Sequence, residues 1–382
     1  MAFFSSIYDI FTGLTILIIG LIISVKISKY FTISEKRALI LYLWHTFFCV
    51  FYLYYVLSYG GDSIEYYEQS FNYAKEFSFG TSVINKIVSL FSDGLRFSIL
   101  SVFLVFNIFG VVGLIAFDGS LKELILKKSK AIRILATITV FLPSISFWTS
   151  AIGKDGIAFM ATGIALWAAL NLRSRYLLMI FSVISMLLVR PHMAAIIMFS
   201  ILISISLDNA IHFKQRFLFG MIAFFCTAIM VPLGLSYSGV IGEDGAGGDI
   251  IEYVDSRQSY NQEGGGAIDI SSLGLPMQLF TYAFRPLPFE AHSAASLIAS
   301  FDNTFLLLIF VLGVFKTINK VRNKSQILLS GHVMLWSFSI VSWFVLALTT
   351  ANSGIAVRQK WMFFPIIIFL MFSMINRSKR KY

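Results

Sequence analysis

Runs of apolar residues, each close to the length of a membrane-spanning helix, recur from one end of this 382-residue chain to the other. An α-helix needs about 20 such residues to cross the hydrocarbon core, because it rises only about 1.5 Å per residue. Hydrophobic residues make up 57% of the chain and the mean hydropathy is +0.80, which excludes a soluble globular protein and a disordered one. The sequence therefore predicts an all-α polytopic membrane protein, with 1–382 forming a single integral membrane domain.

Hydropathy predicts about eleven transmembrane helices. The short segment Arg190-Pro191-His192 separates two apolar runs that form either two tilted helices or one broken helix, since proline permits both. No cleavable signal peptide is expected, because the first run lacks a basic n-region and a small-residue cleavage site. The predicted crossings are roughly 9–27, 38–58, 95–116, 132–148, 156–172, 176–189, 193–207, 217–235, 302–319, 327–350 and 361–375.

The connecting loops fall into two sets that differ sharply in basic residues. One set carries 21 of the 30 lysines and arginines and only four acids, whereas the other carries nine basic residues and sixteen acids. The positive-inside rule assigns the first set to the cytoplasm, which places the N-terminus outside and the C-terminus inside. The net charge of +10 is thus mostly an orientation signal. No continuous soluble basic surface is left for nucleic acid.

Two predicted outer loops are long, 59–94 and 236–301. The first half of the second loop is rich in glycine and acidic residues around 242–249, a composition too polar to bury a core. Its second half turns apolar over 273–284, which predicts a short amphipathic or re-entrant helix against the membrane.

Five outer cations stand at or near the ends of predicted spans: Lys154, Arg190, Arg285, Arg358 and Lys360. A charge at the edge of the hydrocarbon costs about 2–3 kcal/mol, so it needs a partner or a water-filled cavity. Arginine remains charged and offers a rigid fork of donors that matches two phosphate oxygens. Arg190, Arg285 and Arg358 meeting in one outer cavity would form a diphosphate site.

Each of these cations also has a purely structural interpretation. Lys154 pairs with Asp155 at the membrane surface, or Arg190 caps the C-terminal end of its helix. Arg285 pairs with Glu290 and holds its loop together. Both interpretations, the phosphate site and the structural one, remain open for every residue at this point.

The remaining outer residues also have both a functional and a structural interpretation. Arg358 and Lys360 are either phosphate ligands or interfacial anchors. His192 is either a base or phosphate donor beside the outer cavity or a polar loop residue. Arg257 and His292 lie inside the long loop, where a solvated or ordinary loop role is the simpler interpretation.

Acidic and aromatic residues add candidates for contact with a sugar. Asp62 and Glu290 either accept a proton from a sugar hydroxyl or have structural roles, a helix cap for Asp62 and a loop ion pair for Glu290. Tyr66 and Tyr67 follow Asp62 by about one helical turn and either stack on a sugar face or belong to the aromatic belt.

Histidines and cysteines inside the spans are expected to be structural. His45 and His332 are interpreted as satisfied core polar groups, and Cys49 and Cys226 as apolar filler without a disulfide. No histidine pattern has metal-ligand spacing, so we expect neither a metal nor a cofactor.

Four motifs follow one another at predicted outer positions: FWTSAIGKD at 147–155, VRPH at 189–192, RPLPFE at 285–290 and NSGIAVRQK at 352–360. Together they resemble the Wzy-like O-antigen and capsular polysaccharide repeat-unit polymerases. Asp62 with the Tyr66-Tyr67 pair is similar to the first-loop pattern of EpsG-type exopolysaccharide polymerases. The likeness extends over most of the chain.

The resemblance implies a bacterial inner-membrane protein related to the membrane-embedded lipid-linked-sugar glycosyltransferases. Such proteins join polyprenyl-diphosphate-linked oligosaccharides on the periplasmic face, with a chain-length regulator as a possible partner. It implies roles for outer arginines such as Arg190, Arg285 and Arg358. One family pattern is missing: after Arg257 the glycines fall at 264–266, too early for an Arg-x10-Gly motif. The two-loop catch-and-release scheme based on that motif is therefore not expected here.

The resemblance and the residue chemistry give one set of candidate roles. An O-antigen ligase, which uses the same lipid-linked donor, is the rival enzyme. A flippase is the rival transporter, although it should place charges in the middle of its spans. The catalytic candidates are Asp62, Arg190, His192, Arg285, Glu290 and Arg358, and the substrate-binding candidates are Lys154, Asp155, Lys360, Tyr66 and Tyr67.

The charge asymmetry makes a testable prediction about orientation. In a background with Cys49 and Cys226 replaced by alanine, a single cysteine at Ser259 should react with an impermeant maleimide added outside intact cells. A cysteine at Ser325 should react only after the membrane is permeabilised, because it lies in a predicted inner loop. If the cysteine at Ser259 were labelled only from the inside, the predicted orientation would be wrong.

Overall fold

The computed structural model describes residues 6–71, 73, 76–208, 212–239, 254, 256, 258, 267–270, 272–291, 293–322 and 332–375. The regular elements of this part are helices. One isolated antiparallel β-bridge pairs Ala267 with Asn352. The predicted all-α membrane architecture is therefore confirmed. The chain divides into two compact units, Met1–Arg190 and Pro191–Tyr382. A single integral membrane domain over 1–382 stays a prediction.

The first unit centres on two buried helices that pack against each other, α5 (Ile99–Ile125) and α8 (Lys154–Ala169). Helices α1 and α2 pack on α5, and α9 packs on α8. The helices of this unit are α1 (Ile7–Ser28), α2 (Glu35–Tyr59), α3 (Asp62–Glu68), α4 (Thr81–Ser89), α5 (Ile99–Ile125), α6 (Lys130–Val140), α7 (Pro143–Thr149), α8 (Lys154–Ala169) and α9 (Leu172–Val189), with a π-helical turn over Leu90–Gly94.

The second unit packs α10 against both α11 and α14, and packs α16 against α13. The short helix α12 contacts α13, α14 and α15. The helices of this unit are α10 (Pro191–Leu207), α11 (Phe213–Ser238), α12 (Leu275–Phe284), α13 (Ala294–Arg322), α14 (Val333–Thr349), α15 (Ser353–Gln359) and α16 (Phe364–Met374), with 3-10 turns over Pro288–Glu290 and Lys360–Met362.

Seven helices in the described part are long and apolar enough to cross a membrane. The pair Ser353–Met362 and Phe364–Met374, bent by 66°, adds an eighth if it forms one broken span. Pro191–Leu207 and Val333–Thr349 are apolar but shorter. The prediction of eleven crossings is therefore not confirmed, and the orientation of the chain stays a prediction. The helix expected over 273–284 is present as Leu275–Phe284.

Polar side chains at helix starts explain where several helices begin. The hydroxyl of Ser6 accepts a hydrogen bond from the Asp9 N–H, and the Asp9 carboxylate accepts one from the Ser6 N–H. Ser98 caps α5 in the same way through the Ser101 N–H. These bonds satisfy backbone donors that no helical carbonyl can reach, a need that is acute at the edge of a bilayer.

Glycines allow the central pair α5 and α8 to approach closely. A Cβ added at Gly163 would lie 2.5 Å from the Gly113 carbonyl oxygen, and one added at Gly113 would lie 2.8 Å from the Met160 Cα. Both obstacles are backbone, which cannot move aside as a flexible side chain can. Small residues are what membrane helices use where their backbones meet, because dispersion contacts then replace the hydrophobic effect as the main attraction.

A buried polar network joins α2, α5 and α7 inside the first unit. The His45 Nδ1 lies 2.6 Å from the Asn107 Oδ1, and its Nε2 lies 3.0 Å from the Thr149 hydroxyl. Asn107 in turn donates to the Thr46 hydroxyl at 2.9 Å. The interpretation of His45 as a satisfied core group is confirmed. Cys49 and Cys226 are free, as predicted.

Residues that the sequence assigns to the inner side contact one another within the first unit. Arg37 donates to both carboxylate oxygens of the buried Asp118, at 2.5 and 2.6 Å. Arg175 lies 3.6 Å from Glu123 and stacks over the Trp167 ring at 3.7 Å. Paired arginines thus hold the ends of α2, α5, α8 and α9 together.

The close approach of α5 and α8 predicts a position-specific effect of one methyl group. Gly163→Ala should lower stability by about 1–3 kcal/mol, because its Cβ overlaps a backbone oxygen. Gly220→Ala is the matched control, since a Cβ there meets nothing within 4 Å. It should be neutral or slightly stabilising, because alanine is the better helix former. Thermal unfolding in detergent, followed by size-exclusion chromatography, measures both; equal melting temperatures would contradict the packing argument.

Candidate functional site

In the first unit, a tight turn presents the first acidic candidate. Gly60 and Gly61 have φ angles of 80° and 152°, which side-chain-bearing residues rarely adopt, and they let α2 end and α3 begin immediately. Asp62 is the first residue of α3 and is exposed, and Gly61 occupies the cap position. The interpretation of Asp62 as the helix cap is therefore wrong. The Ser63 hydroxyl donates to the Ile152 carbonyl at 2.8 Å, which fixes this turn against the start of α8.

A mostly buried ion pair between Asp155 and Arg190 lies at the start of α8. Arg190 donates to the Asp155 carboxylate at 3.0 Å, and their side chains are only 14% and 7% exposed. The Arg190 N–H also closes α9 through a bond to the Met186 carbonyl at 2.7 Å. The Arg190 Nε is buried and has no hydrogen-bond partner among the described residues. Asp155 therefore orients a guanidinium that keeps an unused donor.

Tyr66 and Tyr67 lie in α3 and are buried, at 8% and 9% exposure. The Tyr67 hydroxyl donates to the Phe97 carbonyl at 2.8 Å. Burial, and secondarily the Asp9 carboxylate, raises the pKa of Tyr67. A tyrosine phenol is already neutral at physiological pH, and the raised pKa keeps this one neutral, and able to donate, at more alkaline pH. Stacking of Tyr66 or Tyr67 on a sugar stays a prediction.

In the second unit, Arg285 and Glu290 form the ion pair that the structural interpretation expected. The Arg285 guanidinium lies 2.6 Å from one Glu290 oxygen, and the Leu287 N–H donates to the other oxygen at 2.8 Å. Both carboxylate oxygens are thus engaged within one turn. The geometry favours Glu290 as the residue that orients Arg285, and its role as a base stays a prediction.

Asn303 connects this turn to the end of α15, a link that the sequence analysis missed. Its side-chain amide donates to the Pro286 carbonyl at 3.1 Å, and its oxygen accepts a hydrogen bond from the Lys360 ammonium. Asn303 and Lys360 are both fully buried, so Lys360 is not an interfacial anchor. The polar triplet Asp302-Asn303-Thr304 in an otherwise apolar run was the available signal.

Arg358 lies in α15, whose start is fixed twice. Asn352 caps the helix by accepting bonds from the Gly354 and Ile355 N–H groups at 2.9 and 3.2 Å. The same residue forms the bridge with Ala267. The helix that carries Arg358 is thus tied to the returning end of the long loop.

His192, the second residue of α10, stacks on the Tyr237 ring with centroids 5.9 Å apart. His192 and Arg358 have further interactions within the structure, and their contact with substrate stays a prediction. Arg257 and His292 lie outside the described residues.

The site residues form two connected sets, one in each unit. In the first unit, contacts run from the Asp62 turn to the start of α8 and through Asp155 to Arg190. In the second, they run from the Arg285 turn through Asn303 to Lys360, two residues after Arg358. Arg190 belongs to the first unit, so the meeting of all three arginines stays a prediction.

Within the described residues, no group of three histidine, cysteine or acidic side chains could hold a metal ion. The chain matches no protein-family model, no curated protein and no solved structure.

The ion pair between Arg190 and Asp155 should show strong coupling. Asp155→Asn and Arg190→Gln should each cost about 3–5 kcal/mol, because each leaves a buried charge without its partner. The double variant should cost clearly less than the sum. Equilibrium unfolding measures this cycle. The exposed pair Lys29 and Glu35, at 3.3 Å, is the control, and Glu35→Gln there should cost less than about 1 kcal/mol. Additive losses at 155 and 190 would argue against the pair.

Proposed function

We propose that this protein is a glycosyltransferase that polymerises polyprenyl-diphosphate-linked oligosaccharide repeat units. The reaction takes place on the periplasmic face of the bacterial inner membrane, in the synthesis of O-antigen, capsule or exopolysaccharide. Support comes from three features: the membrane helices, the order of the four Wzy-like motifs, and arginines oriented by carboxylates in two of those motifs.

The observation that carries the proposal is the state of Arg190. Asp155 holds its guanidinium in a mostly buried position, and its Nε donor has no partner among the described residues. A buried donor without an acceptor costs about 1–3 kcal/mol and therefore needs an explanation, and a ligand that supplies the missing acceptor is one that suits a binding site. A diphosphate oxygen is a suitable acceptor, because charge-assisted bonds from arginine to phosphate are short and strong.

The proposed reaction is a substitution at the anomeric carbon of the donor sugar. A hydroxyl of the acceptor repeat forms the new C–O bond while the bond from the anomeric carbon to the lipid diphosphate breaks. The bonding electrons leave with the diphosphate, and the hydroxyl proton passes to a base or to water. Negative charge therefore grows on the leaving group, where donors fixed in advance stabilise the transition state most.

Each candidate residue has a place in this scheme. Arg190, Arg285 and Arg358 bind the diphosphate, with Lys154 and His192 adding positive charge or donors. Lys360 is fully buried and bonds Asn303, so it assists by holding its segment in place. Asp155 and Glu290 orient their arginines. Asp62 is the exposed carboxylate and the better candidate to orient or deprotonate the acceptor hydroxyl. We assign Tyr66 and Tyr67 to the acceptor side on the resemblance alone, since both are buried in the structure.

Three arginine variants test the proposal. Arg190→Ala, Arg285→Ala and Arg358→Ala should each lower the polymerisation rate by about 10²–10³-fold, the usual loss when one oriented donor to an oxyanion is removed. Lysine at these positions should restore activity only in part, because an ammonium lacks the planar fork. The assay uses purified full-length protein in nanodiscs with lipid-linked repeat units, and mass spectrometry measures chain length.

Arg133→Ala is the matched control, since Arg133 is exposed near the start of α6, on the predicted inner side, and its loss should leave the rate unchanged. Asp62→Asn and Glu290→Gln keep the side-chain shape but remove the charge, so they test whether either carboxylate acts as a base. Polymer of normal length from all three arginine variants would overturn the proposal.

A gene deletion distinguishes the polymerase from the two alternative functions. Loss of a polymerase leaves single repeats attached, loss of a ligase leaves none, and loss of a flippase leaves repeats facing the cytoplasm.

A further inference from the structure

The Arg285 turn and the Arg358 segment are far apart in sequence, and a single side chain spans them. Asn303, near the beginning of the apolar part of α13, donates to the Pro286 carbonyl at 3.1 Å and accepts from the Lys360 ammonium. Pro286 directly follows Arg285, and Lys360 comes two residues after Arg358. The amide of Asn303 is thus the shared contact of two arginine-bearing segments.

The chemistry of the two partners fixes the orientation of this amide. Lysine offers only donors, so it must meet the amide oxygen, whereas a proline carbonyl only accepts, so it must meet the NH₂ group. Asparagine supplies both functions from one planar group. An aspartate would keep the lysine contact and lose the bond to Pro286, and a leucine of similar size would lose both.

Burial strengthens the contact between Asn303 and Lys360. Asn303 and Lys360 are both fully buried, and Asp302 beside them is 4% exposed. The Lys360 ammonium also lies 5.6 Å from the Trp361 ring centroid and 5.8 Å from that of Phe364, within the range of cation–π attraction. A buried ammonium without a hydrogen-bond acceptor is costly, so the lysine holds the amide in place.

We propose that Asn303 is a positioning residue for the transferase site: it sets the spacing between the Arg285 turn and the Arg358 helix, so that both guanidinium groups address one diphosphate. This inference rests on the proposed function. Asn303 touches neither substrate nor reacting atoms in this scheme. Its effect passes through the Pro286 carbonyl and the Lys360 ammonium. Misplacement of catalytic groups by about 1 Å from a distant substitution can reduce a rate by about 10²-fold.

The test compares Asn303→Asp and Asn303→Leu with Thr304→Val in full-length protein in nanodiscs. Thr304 is the neighbouring residue on α13, is exposed, and bonds only its own helix through the Ser300 carbonyl. The initial rate of chain lengthening is measured against donor concentration and normalised to folded protein. Asn303→Leu should lower kcat by up to about 10²-fold with a smaller change in KM. The kcat of Asn303→Asp should lie between those of Asn303→Leu and wild type. Thr304→Val should have the kcat and KM of wild type.

A second readout is independent of activity. Spin labels at Phe289→Cys and Gly354→Cys, both exposed positions in the second unit, report the distance between the two segments in a background without native cysteines. Both Asn303 variants should broaden or shift this distance distribution, with Asn303→Leu showing the larger change. Thr304→Val should leave it as in wild type.

The outcomes separate the two claims. Wild-type kcat and an unchanged label distance in Asn303→Asp and Asn303→Leu would overturn the positioning role. So would a loss of folded protein with normal turnover per folded molecule, which would make Asn303 purely structural. If wild-type protein fails to lengthen lipid-linked repeats, the proposed function fails, and the label distances still decide whether Asn303 holds the two segments.

Discussion

Charge inside an apolar bundle has to be matched, and this requirement organises much of the structure. Taking an ion out of water costs several kcal/mol, so a buried charge needs a partner of fixed geometry. Three buried charged groups show three solutions: Asp118 receives two bonds from Arg37, Asp155 binds Arg190, and Lys360 binds the neutral amide of Asn303 with the buried Asp302 carboxylate near enough to stabilise its charge. Each solution also joins distant stretches of chain.

The same requirement links stability to the candidate chemistry. In the proposed phosphate site, each arginine must be held in place while no phosphate is bound. Asp155 and Glu290 do this for Arg190 and Arg285, and each carboxylate comes from a nearby segment of the same unit. An arginine held this way loses little freedom when an anion binds, which is the advantage of a site organised in advance.

Sequence patterns predicted the helical membrane class well, because apolar runs of bilayer length have few other solutions. They also predicted the buried state of His45, and they gave the pair of Arg285 and Glu290 as one of two alternatives. The predicted crossing number is not confirmed, since helices such as Lys154–Ala169 and Pro191–Leu207 are shorter than a full span. The sequence patterns did not find Asn303 or Asn107. Neutral amides in apolar runs carry no charge pattern, and their partners are dozens of residues away.

The double attachment of Asn352 has a consequence for how such a protein could change over evolution. Its backbone pairs with Ala267, the Ile268 N–H bonds the Ala351 carbonyl at 2.8 Å, and its side chain caps the helix of Arg358. Together these contacts anchor the returning end of the long loop. Gln258, which precedes this anchor, is buried, and its side chain donates to the Leu348 carbonyl at 2.9 Å, so it is a second attachment of the loop. Changes in the loop that spare both attachments should leave the arginine helix in place. Insertions and deletions elsewhere in the loop could thus accumulate over evolution while the position of Arg358 stays the same.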